Sequence, residues 1–233
     1  MALVEPDGTE HKSGELLAAS NRLVHGLRAR GFQQGDVVAT LLPNGAPIIE
    51  LYLAAAQAGW YLTPINYHLT APEVAYIVQD CGAKAFVADE AFAEVATAAA
   101  EEAAVSSSGR FAVGAVDGFR PYEDLKAGQP EEQPVDRASG GIMTYTAGTT
   151  GRPKGVRRPL MGVDPDTMGQ MLYAWFQFLY GIAPRNDNVH LTVAPLYHTA
   201  VMNFTAIALA GGHTIVLMDR WTPEGTLERI ERY

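Results

Sequence analysis

The chain has 233 residues, of which 48% are apolar, and its 17 basic and 26 acidic residues give a formal charge of −9. This length fits one large domain or two small ones, and the apolar fraction allows a sizeable core rather than a disordered chain. The acidic balance and the lack of a long basic run argue against nucleic acid as a partner. The single cysteine, Cys81, excludes an internal disulfide, and the start of the chain lacks a signal-peptide pattern. Together these features predict a cytoplasmic protein.

Helices and short apolar strands alternate through the first half of the sequence. Ser13 is a good N-cap for the first helix, and Thr70 and Glu73 form a capping box that opens the third. The predicted helices cover about 13–30, 47–59, 70–81 and 90–104, and the predicted strands cover 37–42, 60–65, 84–88 and 111–116. This alternation favours an α/β fold with mostly parallel sheets flanked by helices.

The segment Gly128–Asp136 contains two prolines and two glutamates and is typical of a linker. It divides the chain into a first α/β unit (1–127), a linker (128–138) and a second α/β unit (139–233). In the second unit the predicted strands are 141–146, 189–193 and 214–217, and the predicted helices are about 166–182, 200–209 and 223 onward, the last capped by Thr222. Met168–Ala183 is the most apolar long segment. Because it is shorter than the roughly 20 residues that span a bilayer, we interpret it as a buried helix rather than a transmembrane segment.

The segment Met143–Val156 is rich in glycine and threonine and closes on a single lysine, Lys154. Glycines let the backbone approach a bulky anion, and backbone N–H groups and threonine hydroxyls donate to phosphate oxygens. The pattern is not the common P-loop, because Pro153 stands where the second glycine is required and Gly155 follows the lysine. The residue types nevertheless predict a loop that handles a nucleoside triphosphate.

Residues Tyr145–Val156 closely resemble the phosphate-loop signature of the adenylate-forming superfamily, with Ala147 where the usual form has serine. Further resemblances lie at Gly35–Asn44, at Ala58–Gly59 with Thr63–Asn66, at Pro195–Thr199 and at Ala210–Gly212. The resemblance covers essentially the whole chain. It implies the N-terminal part of the large domain of an acyl-CoA synthetase (fatty-acid–CoA ligase), with the C-terminal domain absent.

The resemblance also implies roles for individual residues. Lys154 is expected to contact the ATP phosphates and to stabilise charge as pyrophosphate leaves, and His198 is expected to lie beside the carboxylate and gate the acyl tunnel. Met202 and Asn203 are candidates for the acyl pocket, as are Trp175 and Phe178, although core packing is an equal alternative for these side chains. The residues expected to bind phosphate are Thr146, Gly148, Thr149, Thr150, Gly151 and Lys154.

The implied activity is ATP-dependent adenylation of a fatty or other hydrophobic carboxylic acid, followed by thioester formation with CoA. The sequence contains no Tyr-Gly-x-Thr-Glu or Thr-Gly-Asp string, the family blocks that hold adenine, Mg²⁺ and ribose. We therefore expect the Mg²⁺ ligand in a missing part, and we expect the chain to be inactive alone. Three alternatives stay open. The substrate is an amino acid instead of a hydrophobic acid. The chain is a non-catalytic module that binds nucleotide or pairs with a separate C-terminal part, or it forms a homo-oligomer.

Overall fold

The computed structural model describes residues 1–146, 152–183 and 187–233. Helices and strands alternate along these ranges, as the sequence predicts. The helices are α1 (Ser13–Ala29), α2 (Ala46–Ala58), α3 (Ala71–Asp80), α4 (Ala93–Glu102), α5 (Pro165–Tyr180), α6 (Thr199–Ala210) and α7 (Pro223–Arg232). The strands are β1 (Leu3–Val4), β2 (Glu10–His11), β3 (Val37–Leu41), β4 (Tyr61–Pro64), β5 (Ala83–Asp89), β6 (Arg110–Val113), β7 (Arg120–Pro121), β8 (Gly141–Ile142), β9 (Thr144–Thr146), β10 (Lys154–Val156), β11 (Val189–Thr192) and β12 (Thr214–Leu217).

The larger sheet has six strands in the order β7-β6-β5-β3-β4-β8, and every pairing in it is parallel. Successive side chains of the central strand β3 point to opposite faces, as strand geometry requires. Val38 packs into the core shared with α1 and α2. Val37 and Ala39 pack into a second core with α3 and α4. A continuous apolar strand is therefore buried on both faces, and the predicted fold class is confirmed.

A smaller sheet has four strands in the order β11-β12-β1-β2. Its strand β1 comes from the start of the chain and pairs in parallel with β12, whereas β8 of the second half pairs with β4 in the larger sheet. Each sheet thus contains strands from both halves of the sequence. The division into units at 128–138 stays a prediction, and neither sheet is formed from one unit alone.

The predicted linker lies along α1 and is fixed there by hydrogen bonds to its backbone. Asn21 donates from its amide to the Glu131 carbonyl at 2.7 Å, and the Arg28 guanidinium donates to the Val135 carbonyl at 2.8 Å. These bonds pair carbonyl groups that a free linker would leave to water. The segment is therefore an ordered strap on the first helix.

Three predicted elements need correction at their ends. Helix α1 begins at Ser13, so that Lys12 occupies the cap position. The predicted helix 90–104 is a 3₁₀ turn followed by α4, because the Asp89 side chain accepts a hydrogen bond from the Ala91 N–H. Strand β6 ends at Val113, where Gly114 adopts a φ of 78°.

The prediction of a buried helix at Met168–Ala183 is wrong. Helix α5 forms there, but within it only Tyr173 and Phe176 are buried. Trp175 is 60% exposed and Phe178 is 78% exposed. Apolar composition alone does not fix burial, because burial needs a partner surface on every side of the helix. Across the described ranges, no helix combines the length and apolarity needed to cross a membrane.

The side chain of Asn44, just beyond β3, joins the two sheets. Its amide nitrogen donates to the carbonyls of Ala194 at 3.1 Å and Met218 at 2.8 Å. Its amide oxygen accepts from the Leu196 N–H at 2.8 Å. Asn44 is buried, and its bonds to Met218 and Leu196 are buried with it, so they satisfy backbone groups that water does not reach. The carboxyl ends of β3, β11 and β12 are therefore tied together at one side chain.

We predict that Asn44→Ala lowers the free energy of unfolding by about 3 kcal/mol, since three hydrogen bonds of about 1 kcal/mol each are lost. Urea unfolding followed by circular dichroism measures the change. Asn203→Ala is the matched control, because Asn203 is an exposed asparagine on α6; its effect should stay within about 0.5 kcal/mol. Equal effects of the two substitutions would contradict the role of Asn44.

Candidate functional site

The candidate phosphate-binding loop sits on a β-hairpin formed by β9 and β10. The strands are antiparallel, with Thr146 opposite Lys154 and Tyr145 opposite Gly155. Both Thr146 and Lys154 are exposed. The expected ligands Gly148, Thr149, Thr150 and Gly151 lie outside the described residues, as does Ala147. The hairpin thus brings the predicted hydroxyl of Thr146 and the predicted cation of Lys154 together at the two ends of the loop.

Close packing across the hairpin requires a glycine at position 155. A Cβ atom there would lie 2.6 Å from the Met143 Cε and 2.9 Å from the Tyr145 Cζ, both closer than van der Waals contact allows. The Tyr145 ring therefore lies across the backbone next to Lys154. Gly155 is part of the signature, and this close approach gives a physical reason for it.

Helix α3 contacts the hairpin near the loop, at β9 and at the residue before β10. The Tyr145 hydroxyl donates to the Asp80 carboxylate at 2.6 Å, and the Tyr76 hydroxyl donates to the Pro153 carbonyl at 3.2 Å. The guanidinium carbon of Arg152 lies 5.2 Å from the centre of the Tyr76 ring, within the range of a cation–π contact. Burial, with the bond to Asp80 as the next cause, raises the pKa of the Tyr145 hydroxyl, so it stays a donor at neutral pH. These contacts with Tyr76 and Asp80 were not found from the sequence, because they join residues about 70 positions apart.

The segment Pro195–His198 follows β11 and leads into α6. Asn44 holds its backbone at Leu196, which is itself fully buried, and the His198 N–H donates to the Pro195 carbonyl at 3.1 Å. His198 then occupies the cap position of α6 with an exposed side chain. Its backbone position is therefore fixed while its ring stays accessible.

Aromatic rings connect this segment to the larger sheet. Tyr67, just beyond β4, stacks on Phe92 with ring centres 4.9 Å apart and meets the edge of Tyr197 at 5.0 Å. Tyr197 in turn lies 4.4 Å from the His198 ring. The cluster Tyr67, Phe92, Tyr197 and His198 therefore lies beyond the carboxyl ends of strands from both sheets. The sequence predicts a role for the motif that includes Tyr197 and His198, whereas no sequence pattern indicates that Tyr67 and Phe92 belong to the same cluster.

The structure places the remaining predicted pocket residues in different environments. Met202 is fully buried in the main core, which favours its packing alternative. Asn203 is exposed, and Phe204 beside it is 37% exposed. Trp175 and Phe178 stack on each other on the open face of α5. The substrate-binding roles of Met202 and Asn203 stay predictions.

Lys154 and His198 lie at the same side of the fold. The hairpin follows β8, and Tyr67 follows the neighbouring strand β4, so both come after carboxyl ends of the six-stranded parallel sheet. In open α/β sheets, ligands bind in the crevice beyond these ends. No hydrogen bond or ion pair joins Lys154 to His198 in the described part of the chain. Both side chains are exposed.

Two other histidines, His190 and His213, lie near the amino ends of β11 and β12. His213 is buried, and its Nε2 lies 2.9 Å from the Tyr173 hydroxyl and 3.1 Å from the Asn188 amide nitrogen. Burial lowers the pKa of His213 and of His190, whose pKa the charge of His213 lowers further. Neutral rings at neutral pH suit a structural role under α5.

Cys81 is also buried, which raises the pKa of its thiol to about 11 and argues against a thiolate nucleophile.

Comparisons with known proteins agree with this geometry. The sequence pattern of the AMP-binding enzyme family matches residues 2–233. A feruloyl-CoA synthase of Amycolatopsis is 30% identical, over 98% of this chain and 43% of its own length. The long-chain-fatty-acid–CoA ligase FadD13 of Mycobacterium tuberculosis is 29% identical, over 94% of this chain and 42% of its own length. The chain thus spans less than half the length of these relatives.

Two solved structures give the same result for the fold. The structure of a long-chain-fatty-acid CoA ligase from Rhodopseudomonas palustris, described there as putative, matches with a TM-score of 0.82 and 25% identity, over 99% of this chain and 56% of that one. The N-terminal domain of FACL13 from Mycobacterium tuberculosis matches with a TM-score of 0.78 and 27% identity, over 98% of this chain and 56% of that one. With the loop signature, the parallel-sheet edge and these matches in agreement, the chain belongs to the AMP-binding enzyme family.

Proposed function

We propose that this chain is the N-terminal portion of an ATP-dependent acyl-CoA synthetase, an acid–thiol ligase. The observation that carries the proposal is the β9–β10 hairpin, which sets Lys154 opposite Thr146 at the two ends of the Gly/Thr-rich segment. Both side chains are exposed, so they are accessible to the phosphates of a nucleotide. The membership of the chain in the AMP-binding enzyme family supports the same reaction class.

The proposed chemistry begins with the substrate carboxylate. One of its oxygens attacks the α-phosphorus of ATP, the bond from that phosphorus to the bridging oxygen breaks, and pyrophosphate leaves to give an acyl adenylate. Catalysis of such a step consists mainly of positioning and charge stabilisation. Lys154 supplies positive charge to the departing phosphates, and the Thr146 hydroxyl and the loop amides donate hydrogen bonds to them. The CoA thiol then displaces AMP in the complete enzyme.

The carboxylic acid is proposed to be hydrophobic. Two relatives carry the names feruloyl-CoA synthase and long-chain-fatty-acid–CoA ligase, and both acids have large apolar parts. In this chain, the half-buried ring of Tyr197 and the exposed ring of His198 lie at the proposed acid end of the site. His198 contacts the acid as a gate rather than as a base, because a carboxylate is already ionised at neutral pH.

Mg²⁺ remains part of the proposal on family grounds. In the ranges that the structure describes, no three His, Cys, Asp or Glu side chains come together as a metal site. No step of the proposed chemistry is assigned to the ion here. ATP and CoA enter the proposal as substrates.

A second candidate function is a non-catalytic module that pairs with a C-terminal part. The observation that favours it is the open face of α5, where five large apolar side chains are more than two-fifths exposed: Met171, Leu172, Trp175, Phe178 and Leu179. Exposed apolar surface of this kind marks interaction sites. The solved N-terminal domain of FACL13 continues well beyond the region matched here, since the chain covers 56% of it. We propose an equivalent segment as the occupant.

We predict that the chain binds ATP and that Lys154→Ala weakens this binding about 10- to 100-fold, because a hydrogen bond to a charged group contributes about 1.5–3 kcal/mol. Isothermal titration calorimetry measures the dissociation constants. Arg158→Ala removes the same charge from an exposed side chain four residues away and should change the affinity less than about threefold. No ATP binding by the wild-type chain, or equal losses in both variants, would sink the proposed phosphate site.

We predict negligible ligase turnover by the chain alone, because it spans 43% of the length of the feruloyl-CoA synthase and lacks family blocks expected to hold adenosine. Pyrophosphate release is measured with ATP, Mg²⁺, CoA and a panel that contains palmitate, ferulate and an amino acid mixture. Turnover near the roughly 10 s⁻¹ of an ordinary enzyme would refute the expected inactivity. The acid that gives any residual rate would identify the substrate class.

We predict that the open face of α5 causes self-association when no other segment covers it. Light scattering after gel filtration should give a mass above the 25.1 kDa of one chain, and Trp175→Glu with Phe178→Glu should restore the monomer by placing charges on the apolar face. Glu101→Lys on α4 is the control, because Glu101 is exposed on a different helix. A wild-type chain that is monomeric at about 100 μM argues against the second candidate function.

A further inference from the structure

The β9–β10 hairpin is held near its loop by two side chains of α3. On one strand, the hydroxyl of Tyr145 donates to the Asp80 carboxylate at 2.6 Å. Just before the other strand, the carbonyl of Pro153 accepts from the Tyr76 hydroxyl at 3.2 Å. The proposed ligands are the immediate neighbours of these contact points, since Thr146 follows Tyr145 and Lys154 follows Pro153. Movement at either contact would therefore displace the predicted phosphate ligands.

The position of Asp80 in its own helix needs an explanation. Asp80 is the last residue of α3, whose last turn contains no basic residue. A carboxylate at this end is unfavourable, because the helix dipole places partial negative charge there. The side chain of Asp80 is exposed and has no cationic partner within the described ranges. Its bond to Tyr145 is therefore the contact that accounts for an acidic residue at this position.

The two α3 contacts are suited to fixing the hairpin before a ligand arrives. A hydrogen bond to a charged group is about twice as strong as a neutral one, so the Asp80–Tyr145 pair is the stronger of the two. The ring of Tyr145 also lies against Gly155, where no Cβ fits. Because β9 and β10 are restrained in this way, the hairpin loses less conformational entropy when a nucleotide binds.

We propose that Asp80 and Tyr76 are positioning residues that hold the β9–β10 hairpin so that Thr146 and Lys154 converge on the phosphates of ATP. The inference rests on the proposed function for its ligand, and on the α3 contacts for its geometry. Neither residue touches the nucleotide; each acts through the backbone or the side chain of the hairpin.

The test uses the whole chain and three variants with a matched control. Tyr145→Phe removes the donor and keeps the ring, Asp80→Ala removes the acceptor, and Tyr76→Phe removes the donor to Pro153. Gln79→Ala is the control, because Gln79 is the exposed neighbour of Asp80 on the same helix. Three quantities are measured for each: the melting temperature, the hydrogen-exchange rates of the amides in 144–146 and 154–156, and the dissociation constant for ATP.

We expect Asp80→Ala to leave the melting temperature unchanged or raised, because it removes an unfavourable charge from the end of α3. The same substitution should speed amide exchange in the hairpin about tenfold and weaken ATP binding about tenfold, as loss of one charge-assisted hydrogen bond implies. Tyr145→Phe should change exchange and binding by the same amounts but should not raise the melting temperature, because it keeps the Asp80 charge at the end of α3. The double variant should change exchange and binding no further than either single variant. Tyr76→Phe should have a smaller effect, and Gln79→Ala none.

In Asp80→Ala, ATP binding therefore weakens without a fall in melting temperature if Asp80 positions the hairpin, whereas a purely structural role would lower both together. A parallel loss, or hairpin exchange that is unchanged in Asp80→Ala and Tyr145→Phe, overturns the proposal. Should the wild-type chain fail to bind ATP, the proposed function fails, and the exchange rates alone decide whether α3 positions the hairpin.

Discussion

The hydrogen bonds of Asn44 are the constraint on which the geometry of the site depends. Two sheets with separate helices meet where their strands end, and backbone groups at that junction are buried away from water. One amide side chain has both donors and acceptors, so Asn44 satisfies the carbonyls of Ala194 and Met218 and the N–H of Leu196 together. An apolar residue would leave these groups unpaired, and a carboxylate would lack the donors. The carboxyl ends of β3, β11 and β12 therefore have one fixed relation.

Two segments extend over the edge of the fold where the carboxyl ends of the parallel strands lie. One runs from Pro195 to His198 and is held by Asn44 and by the ring contact between Tyr197 and Tyr67. The other is the β9–β10 hairpin, which leaves the larger sheet after β8 and is held by α3. Loops that carry ligands are effective when rigid elements position them. Here parallel strands supply the common edge, and single side-chain contacts set the position of each segment along it.

The open face of α5 exposes more apolar surface than an isolated globular domain usually does. Tyr173 and Phe176 anchor the helix, with Tyr173 bonded to the buried His213, while Trp175 and Phe178 on the other side stay exposed. A helix that is apolar all round is normally buried on all sides. The solved N-terminal domain of FACL13 is longer than the region matched here. A further packed layer over α5 would remove the mismatch between composition and exposure.

Local chemistry in the sequence was enough to predict the alternation of helices and strands and the caps at Thr70 and Thr222. These features depend on neighbours within a few residues, which a single sequence displays directly. The sequence did not reveal that β1 pairs with β12, that Asn44 joins two sheets, or that Asp80 and Tyr76 hold the hairpin. Nor did it reveal that α5 is exposed. Each of these depends on which surfaces meet after folding, because contacts between residues far apart in the chain are decided by packing and by the pairing of buried polar groups.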